Sequence, residues 1–328
     1  MSLSGFRQDA PSVAVIGAGL SGLSCARRLA AAGAKVTIFE KSRSLGGRCA
    51  TRRWGDHIVD HGAQFFTMRN AEFQREMEAL CGDELRPIDA PVVNLQGREI
   101  SAGGPRWYHA MGNNRVGKAL RGDLSVRMEA LITRVERRDE GWDLGEGNGG
   151  GFAAVVCSAP LPQTLAVLGR EPDLAALAPC LTAFFAYAGE WSGRSREVYA
   201  RVDPVDDLAW SACENHKMGR IAPATTVFVA QASPGFSREF LEADPAEWAE
   251  RLRKRLEERW ELPRAAARDV FMHRWRYARY CREEAAVVSD LPPGLFVTGD
   301  AFSESRVESA WLAGRATAHE VLSSIQRR

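Results

Sequence analysis

Three glycines and one acid near the start of the chain have the spacing of a dinucleotide-binding turn. Gly17, Gly19 and Gly22 follow an apolar run, and Glu40 ends a second apolar run. In such a turn the first glycine permits a tight bend, the second lets a pyrophosphate approach the backbone, and the third brings helix against strand. The acid can accept hydrogen bonds from a ribose, which favours NAD or FAD over NADP. The pattern predicts dinucleotide binding, and a structural turn is the alternative.

A glycine pair followed by an arginine favours FAD over NAD. The segment after the acid reads KSRSLGGRCATRR, and flavoproteins often carry Gly-Gly-Arg there, whereas NAD dehydrogenases usually continue into the next helix. Gly46 and Gly47 let backbone pass close to a diphosphate, and Arg48 can pair with a phosphate. A flexible surface loop is the alternative interpretation.

Two distant segments complete the predicted FAD domain. In the stretch 294–322 a short strand leads to Gly299 and Asp300, whose carboxylate can hold a ribityl hydroxyl, and a helix begins at about Val307. Its N-terminus can face the part of the flavin where negative charge gathers on reduction. The stretch 152–165 is interpreted as a buried strand, a turn and a helix. Together the segments predict an α/β fold with a discontinuous Rossmann-like FAD-binding domain.

These motifs resemble the glutathione-reductase-like flavoproteins, and within them the amine-oxidase branch. More narrowly, the chain resembles the bacterial renalases in DHGAQFFTMR (60–69), PRWY (105–108), LAWSACENHKMGR (208–220), HRWRYAR (273–279) and RVESAWLAG (306–314). The resemblance implies noncovalent FAD and oxidation of the 2- and 6-dihydro isomers of NAD(P)H by hydride transfer to flavin N5. Oxygen then reoxidises the flavin, which gives NAD(P)+ and peroxide. Ser305, Ser309 and the DAFSE stretch depart from the family pattern, so the flavin edge is expected to differ.

The motifs and the resemblance together predict two sets of site residues. The residues expected to contact FAD are Gly17, Gly19, Leu20, Gly22, Glu40, Lys41, Gly47, Arg48, Gln64, Phe65, Ile132, Gly299, Asp300, Arg306 and Val307. The residues expected to contact the dinucleotide substrate are Phe65, Phe66, Thr67, Trp210, His273, Arg274, Trp275 and Tyr277. No residue is assigned as a catalytic acid, base or nucleophile, because a hydride transfer that yields a pyridinium mainly needs orientation and electrostatic support.

The segment 273–279 alternates aromatic and cationic side chains. On a strand, His273, Trp275 and Tyr277 share one face, and Arg274 and Arg276 share the other. Rings beside arginines suit a stacked heteroaromatic ring that carries phosphates, and Arg274 is expected to meet a phosphate. A packed aromatic face with a solvated arginine face is the alternative. An amine substrate would instead require carboxylates or an aromatic cage.

Other features of the sequence restrict the class of protein. A net charge of +1 gives no argument for nucleic acid, and seven cysteines without a CxxC pair fit a reduced cytoplasmic protein. No leader-like segment or membrane-length apolar run is present, so we expect no membrane partner. His57 and His61 have metal-ligand spacing only on a helix, and the flanking glycines argue against one, so no metal is predicted.

The expected architecture has two lobes with the flavin ring at their seam. Residues 1–70, 112–168 and 278–328 are assigned to the FAD lobe. Residues 71–111 and 169–277 are assigned to a substrate lobe with a mixed sheet and helices over one face. Two alternatives stay open: a flavin-dependent amine or polyamine oxidase, and a flavin-binding redox module without rapid turnover of a small molecule.

Overall fold

The structure is a computed structural model. It describes residues 10–327 except 146, 172–173, 190–191, 263–266, 268, 283–285 and 303. The strands, in chain order, are β1 (Ser12–Ile16), β2 (Lys35–Glu40), β3 (Thr51–Trp54), β4 (His57–Asp60), β5 (Leu85–Pro87), β6 (Val92–Asn94), β7 (Trp107–His109), β8 (Ser125–Met128), β9 (Glu136–Arg138), β10 (Gly141–Asp143), β11 (Ala154–Cys157), β12 (Leu177–Ala188), β13 (Ala200–Val202), β14 (Trp210–Cys213), β15 (Thr225–Gln231), β16 (Asp269–Tyr280) and β17 (Leu295–Val297). The α-helices are α1 (Leu20–Ala31), α2 (Ala71–Cys81), α3 (Asn114–Arg121), α4 (Leu161–Val167), α5 (Arg194–Glu197), α6 (Pro234–Glu239), α7 (Pro245–Trp260) and α8 (Val307–Gln326).

The first sheet is parallel and has the order β17-β11-β1-β2-β8. Its central strands β1 and β11 are apolar and buried along nearly their whole length, as expected for parallel strands covered on both faces. In a parallel sheet the carboxyl ends of the strands lie at one edge. The sheet therefore brings together three segments: the glycine turn after β1, the acid at the end of β2, and the Gly299-Asp300 segment after β17.

Helices α1 and α8 pack against each other over one face of this sheet. Their contact is close: the Ser24 hydroxyl donates to the carbonyl of Trp311 at 2.9 Å, and a Cβ built on Gly314 would collide with the backbone carbonyl of Ser21. On the other face, Trp142 of β10 and Phe152 pack against β1 and β11. Helix α1 is thus covered by α8, a segment nearly three hundred residues later in the chain.

The second sheet has the order β16-β12-β15-β14-β13-β6. All pairs in it are antiparallel except β13 with β6, so the sheet is mixed. Helices α6 and α7 cover one of its faces, where Trp248, Leu252 and Leu256 are fully buried against β12 and β15. The predicted fold class is confirmed: a Rossmann-like parallel sheet accompanied by a mixed sheet with helices.

Local signals in the sequence match several helix ends. Helix α7 has the predicted N-cap, since Asp244 accepts from the Ala246 amide at 2.8 Å and Pro245 is the first helical residue. Helix α8 begins at the predicted Val307. These ends depend on residues within one turn of the helix, which explains why the sequence predicts them.

Helix α2 lies outside the lobe assigned to it. The sequence places residues 71–81 in the substrate lobe, but Phe73 and Met77 are fully buried in the core beneath α1 and α8. Phe73 packs against Trp311 with ring centroids 5.4 Å apart. The apolar face of α2 therefore belongs to the first sheet's core, and the rest of the two-lobe division stays a prediction.

No helix in the described part of the chain combines the length and apolarity that a membrane crossing requires.

Replacing Gly314 by alanine tests the packing of α1 on α8. The new methyl group meets backbone atoms of α1, which cannot rotate away, so we expect a loss of about 1–3 kcal/mol in the free energy of unfolding. The control is Gly235→Ala in α6, where an added Cβ has open space and alanine favours the helix. Urea unfolding should show destabilisation in the first variant alone; equal stabilities would contradict this packing.

Candidate cofactor and substrate site

The glycine turn after β1 has the geometry that the sequence predicts. Gly17 has a φ of 104°, a backbone conformation suited to glycine, and its amide donates to the carbonyl of Phe39 at 2.8 Å. A Cβ on Gly22 would collide with the carbonyl oxygen of Gly17 and the hydroxyl of Ser158. A Cβ on Gly19 would meet no atom within 4 Å. The third glycine thus packs the helix on the strand, and open space lies at the second glycine.

Glu40 is buried at the tip of β2, beside the turn. One carboxylate oxygen accepts from the Ala18 amide at 2.7 Å, and the other accepts from the amide and hydroxyl of Ser42 at 2.8 and 2.7 Å. These bonds fix the acid at the position predicted for a ribose contact. Leu20 begins α1 and is buried, while Lys41 is exposed directly after the acid.

The glycine pair lies directly on the turn. The Gly46 amide donates to the carbonyl of Ala18 at 2.9 Å, and Gly47, at a φ of 55°, would place a Cβ 3.2 Å from the Cα of Gly19. Behind the loop, Gly117 of α3 packs so closely against Gly46 that a Cβ on it would lie 2.6 Å from the Gly46 Cα. The loop is therefore a wall of the cradle, and the alternative of a free surface loop is wrong.

Arg48 joins this loop to the C-terminal segment. Its guanidinium pairs with both carboxylate oxygens of Asp300, at 2.8 Å from Nη1 to Oδ2, and Nη1 also donates to the carbonyl of Ala278 at 3.1 Å. Ser305 donates to the same carboxylate at 2.6 Å. Burial raises the pKa of Asp300, but Arg48 and Ser305 outweigh it and hold the pKa below its ordinary value. The phosphate contact of Arg48 and the ribityl contact of Asp300 stay predictions.

The start of α8 borders the same region. Arg306 is the N-cap and Val307 the first helical residue, and the backbone at Gly299 has open space beside it. Glu308, also in the first turn, is buried and accepts from the backbone amides of Arg69 and Asn70, which anchors the helix start to the segment before α2.

Ile132 follows β8 at the carboxyl edge of the first sheet, two residues after Ala130, whose amide donates to the carbonyl of Glu40 at 2.9 Å. It is buried after β8 and packs with Ala14, Ile16 and Phe39 against the face of the first sheet that α1 does not cover. Its side chain is a core residue, so only its backbone remains a candidate for contact with the cofactor.

A cluster of four rings lies where the loop after β4 meets β16. His61 stacks on Trp275 with centroids 5.6 Å apart and planes at 22°, and it lies 4.9 Å from His273 and 5.3 Å from Phe271. The Trp275 indole donates to the carbonyl of His61 at 2.8 Å. Burial lowers the pKa of His61 to about 4, with a smaller effect of His273, and burial also lowers the pKa of His273. Both imidazoles are therefore neutral at neutral pH.

Phe65 and Trp210 form a second aromatic group at the other end of the same loop. Their rings are 5.7 Å apart, and the Arg106 guanidinium lies 5.4 Å from the Phe65 centroid. The structure therefore places four of the predicted substrate residues in two groups along residues 61–65: His273 and Trp275 in one, Phe65 and Trp210 in the other. The resemblance named both groups but could not show that one short loop connects them.

Phe66 and Thr67 are buried, in contrast to the partly exposed Phe65. Phe66 is 3% exposed, packs on Phe73, and exchanges two backbone hydrogen bonds with Trp107 at 2.7 and 2.9 Å. Its ring belongs to the core of the first sheet, so we do not keep Phe66 as a substrate contact.

Arg274 faces the opposite layer from the ring cluster, as the alternation along the strand predicts. It donates to the carbonyl of Ala243, and Arg276 pairs with Glu242, both in the connection between α6 and α7. The expected phosphate contact of Arg274 is therefore corrected: the guanidinium is bound in the layer away from His273 and Trp275.

Tyr277 lies beyond an irregularity in the sheet. Strand β12 pairs Ala178 with Arg279 but Cys180 with Trp275, so β16 carries two extra residues between these pairs. The side-chain alternation is interrupted there. The prediction that Tyr277 shares the face of Trp275 consequently has no support from the pairing.

The two histidines that suggested a metal have other partners. His57 is in strand β4 and its ring accepts from the Ala222 amide at 3.2 Å, while His61 lies among the rings described above. The prediction that this segment is not a helix is confirmed.

A buried ion quartet, formed by Asp60, Glu214, Lys217 and Arg220, was missed by the sequence reasoning. All four side chains are 0% exposed. Lys217 lies 3.0 Å from Asp60 and 2.8 Å from Glu214, and Arg220 lies 2.5 Å from Asp60. Two signals could have indicated it: Lys217 is one of only five lysines, and it sits between an acid and an arginine in ENHKMGR.

These features fit FAD. The open space at Gly19 admits a pyrophosphate against the helix start, and Glu40 lies where a ribose would bind. Near the ring cluster, Gln64 Oε1 and His61 Nδ1 are buried and have no hydrogen-bond partner among the described residues. Unpaired buried polar atoms are rare, so a ligand edge with donor and acceptor groups suits this place.

Comparison with known proteins first indicates which class of domain the N-terminal part of the chain resembles. A family model described as an NAD(P)-binding Rossmann-like domain matches residues 15–81, that is, the turn, the acid, the glycine pair and α2. The hydroxyneurosporene desaturase of Cereibacter sphaeroides is 40% identical over 79 residues, which are 24% of this chain and 16% of that protein. Phytoene desaturase of Fusarium fujikuroi is 55% identical over 51 residues, or 16% of this chain and 9% of that protein. The chain thus spans only a small part of the curated relatives it matches.

Likeness to a solved structure extends over the whole fold. Cyclohexylamine oxidase from Brevibacterium oxydans IH-35A superposes with a TM-score of 0.73 at 12% identity, covering 97% of this chain and 100% of that chain. At this identity the likeness shows the fold. That fold and the cradle described above together identify FAD as the cofactor.

Adding side chains at Gly19 tests whether its open space receives the diphosphate. Gly19 has an ordinary φ of −74°, and a Cβ added to it would have no neighbour within 4 Å, so we expect Gly19→Ala and Gly19→Val to fold as the wild type does. We expect the valine variant to weaken FAD binding at least about tenfold and the alanine variant less, each with an unchanged thermal midpoint of the apoprotein. Flavin fluorescence titration measures the affinity. A wild-type affinity for FAD in Gly19→Val would show that the diphosphate does not bind at this turn.

The buried His61 imidazole should make stability depend on pH. Its pKa of about 4 in the folded chain lies below the ordinary 6.5, so unfolding takes up a proton between these values. Stability is thus present above pH 6.5 and is lost as the pH falls towards 4, by roughly 2 kcal/mol at pH 5. In urea titrations, His61→Phe should lose less stability between pH 7 and 5 than the wild type. His319→Phe on the exposed face of α8 is the control and should keep the wild-type difference; a wild-type difference in His61→Phe would refute the assignment.

Proposed function

We propose that the chain is a renalase-like, FAD-dependent oxidoreductase that oxidises 2- or 6-dihydro isomers of NAD(P)H with oxygen as acceptor. FAD is held noncovalently in the cradle of the first sheet. When bound, it supplies the hydride acceptor and passes the electrons to oxygen, which yields peroxide. The proposal keeps a small dinucleotide as substrate, a cytoplasmic location, and no nucleic-acid or membrane partner.

The observation that carries the proposal is the ring cluster of His61, Phe271, His273 and Trp275. Planar rings bind a nicotinamide by stacking, and the Arg52 guanidinium lies 5.3 Å from the Phe271 centroid. A cation beside the rings favours an anionic dinucleotide over a protonated amine. The nearest carboxylate along the chain, Asp60, is fully paired with Lys217 and Arg220 and offers no charge to an amine.

The task of these side chains is orientation. His61 and His273 are neutral at neutral pH, so a cationic pyridinium product meets no positive imidazole as it forms. The Trp275 indole is fixed by its bond to the His61 carbonyl, which holds the stacking plane relative to the loop. No proton leaves carbon in this reaction, which agrees with a cluster that holds no charged base.

A flavin-dependent amine oxidase is the second candidate. The fold likeness to cyclohexylamine oxidase supports it to the same extent as the first, since the comparison does not distinguish substrates. The third candidate is a flavin-binding redox module without rapid turnover. The ring cluster and Arg52 favour a dinucleotide substrate, and a measured reaction is needed to decide among the three candidate functions.

Anaerobic mixing of the FAD-loaded protein with single donors separates the candidates. We expect rapid loss of the yellow colour with 6-dihydroNAD, and slow or no loss with ordinary 4-dihydroNADH or with a panel of primary amines and polyamines. Stopped-flow absorbance measures the rates. Reduction by an amine alone would establish the second candidate, and a flavin that no donor reduces would leave the third.

Variants on the two faces of β16 test the stacking site. Trp275→Leu removes the stacked ring and should slow reduction by 6-dihydroNAD by about tenfold or more while FAD remains bound. Arg274→Ala changes the neighbouring residue on the opposite face and should keep the wild-type rate. Equal rates in Trp275→Leu and the wild type would exclude this cluster as the donor site.

A further inference from the structure

The carboxylate of Asp60 is the centre of the buried ion quartet. One oxygen accepts from the Thr51 hydroxyl at 2.6 Å and from the Asn113 amide at 3.0 Å. The other accepts from Lys217 at 3.0 Å and from Arg220 at 2.5 Å. Four donors from β3, the start of α3 and the segment between β14 and β15 thus converge on one side chain.

Asp60 is also the first residue of the loop that separates the two aromatic groups. Its own carbonyl accepts from the Gln64 side chain, and Asn113 donates to the carbonyl of Ala63 at 2.9 Å. The Ala63 amide in turn donates to the carbonyl of Arg48 at 2.9 Å. The loop 60–66 is therefore held at its start by Asp60 and in its middle by Asn113, which Asp60 binds, and it rests on the backbone of the arginine that pairs with Asp300.

The charges of the quartet balance. Two cations and two carboxylates lie together away from water. Burial raises the pKa of Glu214. At Asp60, Arg220 and Lys217 outweigh burial and hold the pKa well below its ordinary value. Buried ion groups are a poor source of net stability, because desolvation offsets most of the attraction. Such a group does constrain geometry, however, because every buried charge has to lie within hydrogen-bond distance of its partners.

We propose that Asp60 is a positioning residue for the flavin site. It binds Lys217 and Arg220 of the segment 214–220 and holds the loop 60–66, and in this way it fixes the position of that segment relative to the cofactor cradle. This rests on the FAD site proposed above and is independent of the identity of the electron donor. Glu214 shares the quartet, but its carboxylate contacts Lys217 and Arg220 rather than the loop. Both acids neutralise the same two cations, but of the two only Asp60 also holds the loop 60–66.

Two charge-balanced double variants separate positioning from stability. Asp60→Asn with Lys217→Met, and Glu214→Gln with Lys217→Met, each remove one carboxylate and the same cation, so no uncompensated charge stays buried. Both proteins are prepared with FAD, and the FAD dissociation constant and the visible spectrum of the bound flavin are measured. We expect the Asp60 variant to bind FAD about tenfold more weakly, with a shifted flavin spectrum, and the Glu214 variant to match the wild type in both.

Equal effects in the two double variants, or none in the Asp60 variant, would overturn the proposal. If either double variant fails to fold, Thr51→Val removes the neutral hydroxyl that donates to Asp60 and accepts from the Asn114 amide. It should shift the flavin spectrum in the same direction, and a wild-type spectrum in it would count against the proposal. A wild-type protein that binds no FAD would refute the proposed function itself. That outcome is distinct from a wild type that binds FAD and an Asp60 variant that behaves like its control.

Discussion

The bidentate pair of Arg48 with Asp300 is the interaction on which the site depends. It connects residues 252 positions apart and closes the cradle between the glycine loop and the C-terminal segment. The pair is partly shielded from water, so the charge-assisted bonds are stronger than those of an exposed pair. Close backbone packing brings Arg48 to the position of this pair, because the glycine pair before it has no side chains and can lie directly on the glycine turn.

From this pair the structure extends in two directions along the backbone of Arg48. Towards the second sheet, its carbonyl holds the loop that carries His61 and Phe65, and its guanidinium reaches the end of β16. Towards the first sheet, the residues before Arg48 form the glycine pair that lies on the glycine turn. A single segment therefore relates the rings expected to meet a substrate to the cradle expected to hold FAD, which is the requirement for a hydride donor and acceptor to be aligned.

Much of the cradle could be predicted from the sequence because its signals are local. The spacing of the glycines around Gly19 and the acid at position 40 act within a few residues, and so do Asp244 and Pro245 at the start of α7, outside the cradle. The pairing inside the ion quartet could not be predicted, since Asp60 and Lys217 are 157 positions apart and no periodic pattern relates them, although the rare lysine between an acid and an arginine was a signal. The direction of Arg274 followed from alternation, but its partner Ala243 and the irregular pairing before Tyr277 depend on tertiary packing.

The order of strands in the first sheet has a consequence for biosynthesis. β1 lies at the centre and is synthesised before the other strands of the sheet. β2 follows it closely in the chain, but its other neighbour, β11, follows more than a hundred residues later. Until then an apolar strand edge stays open, and non-local parallel pairing is slow. The nascent chain should therefore need protection from aggregation until β11 emerges, and α8, the cover of α1, follows β11 by more than a hundred further residues.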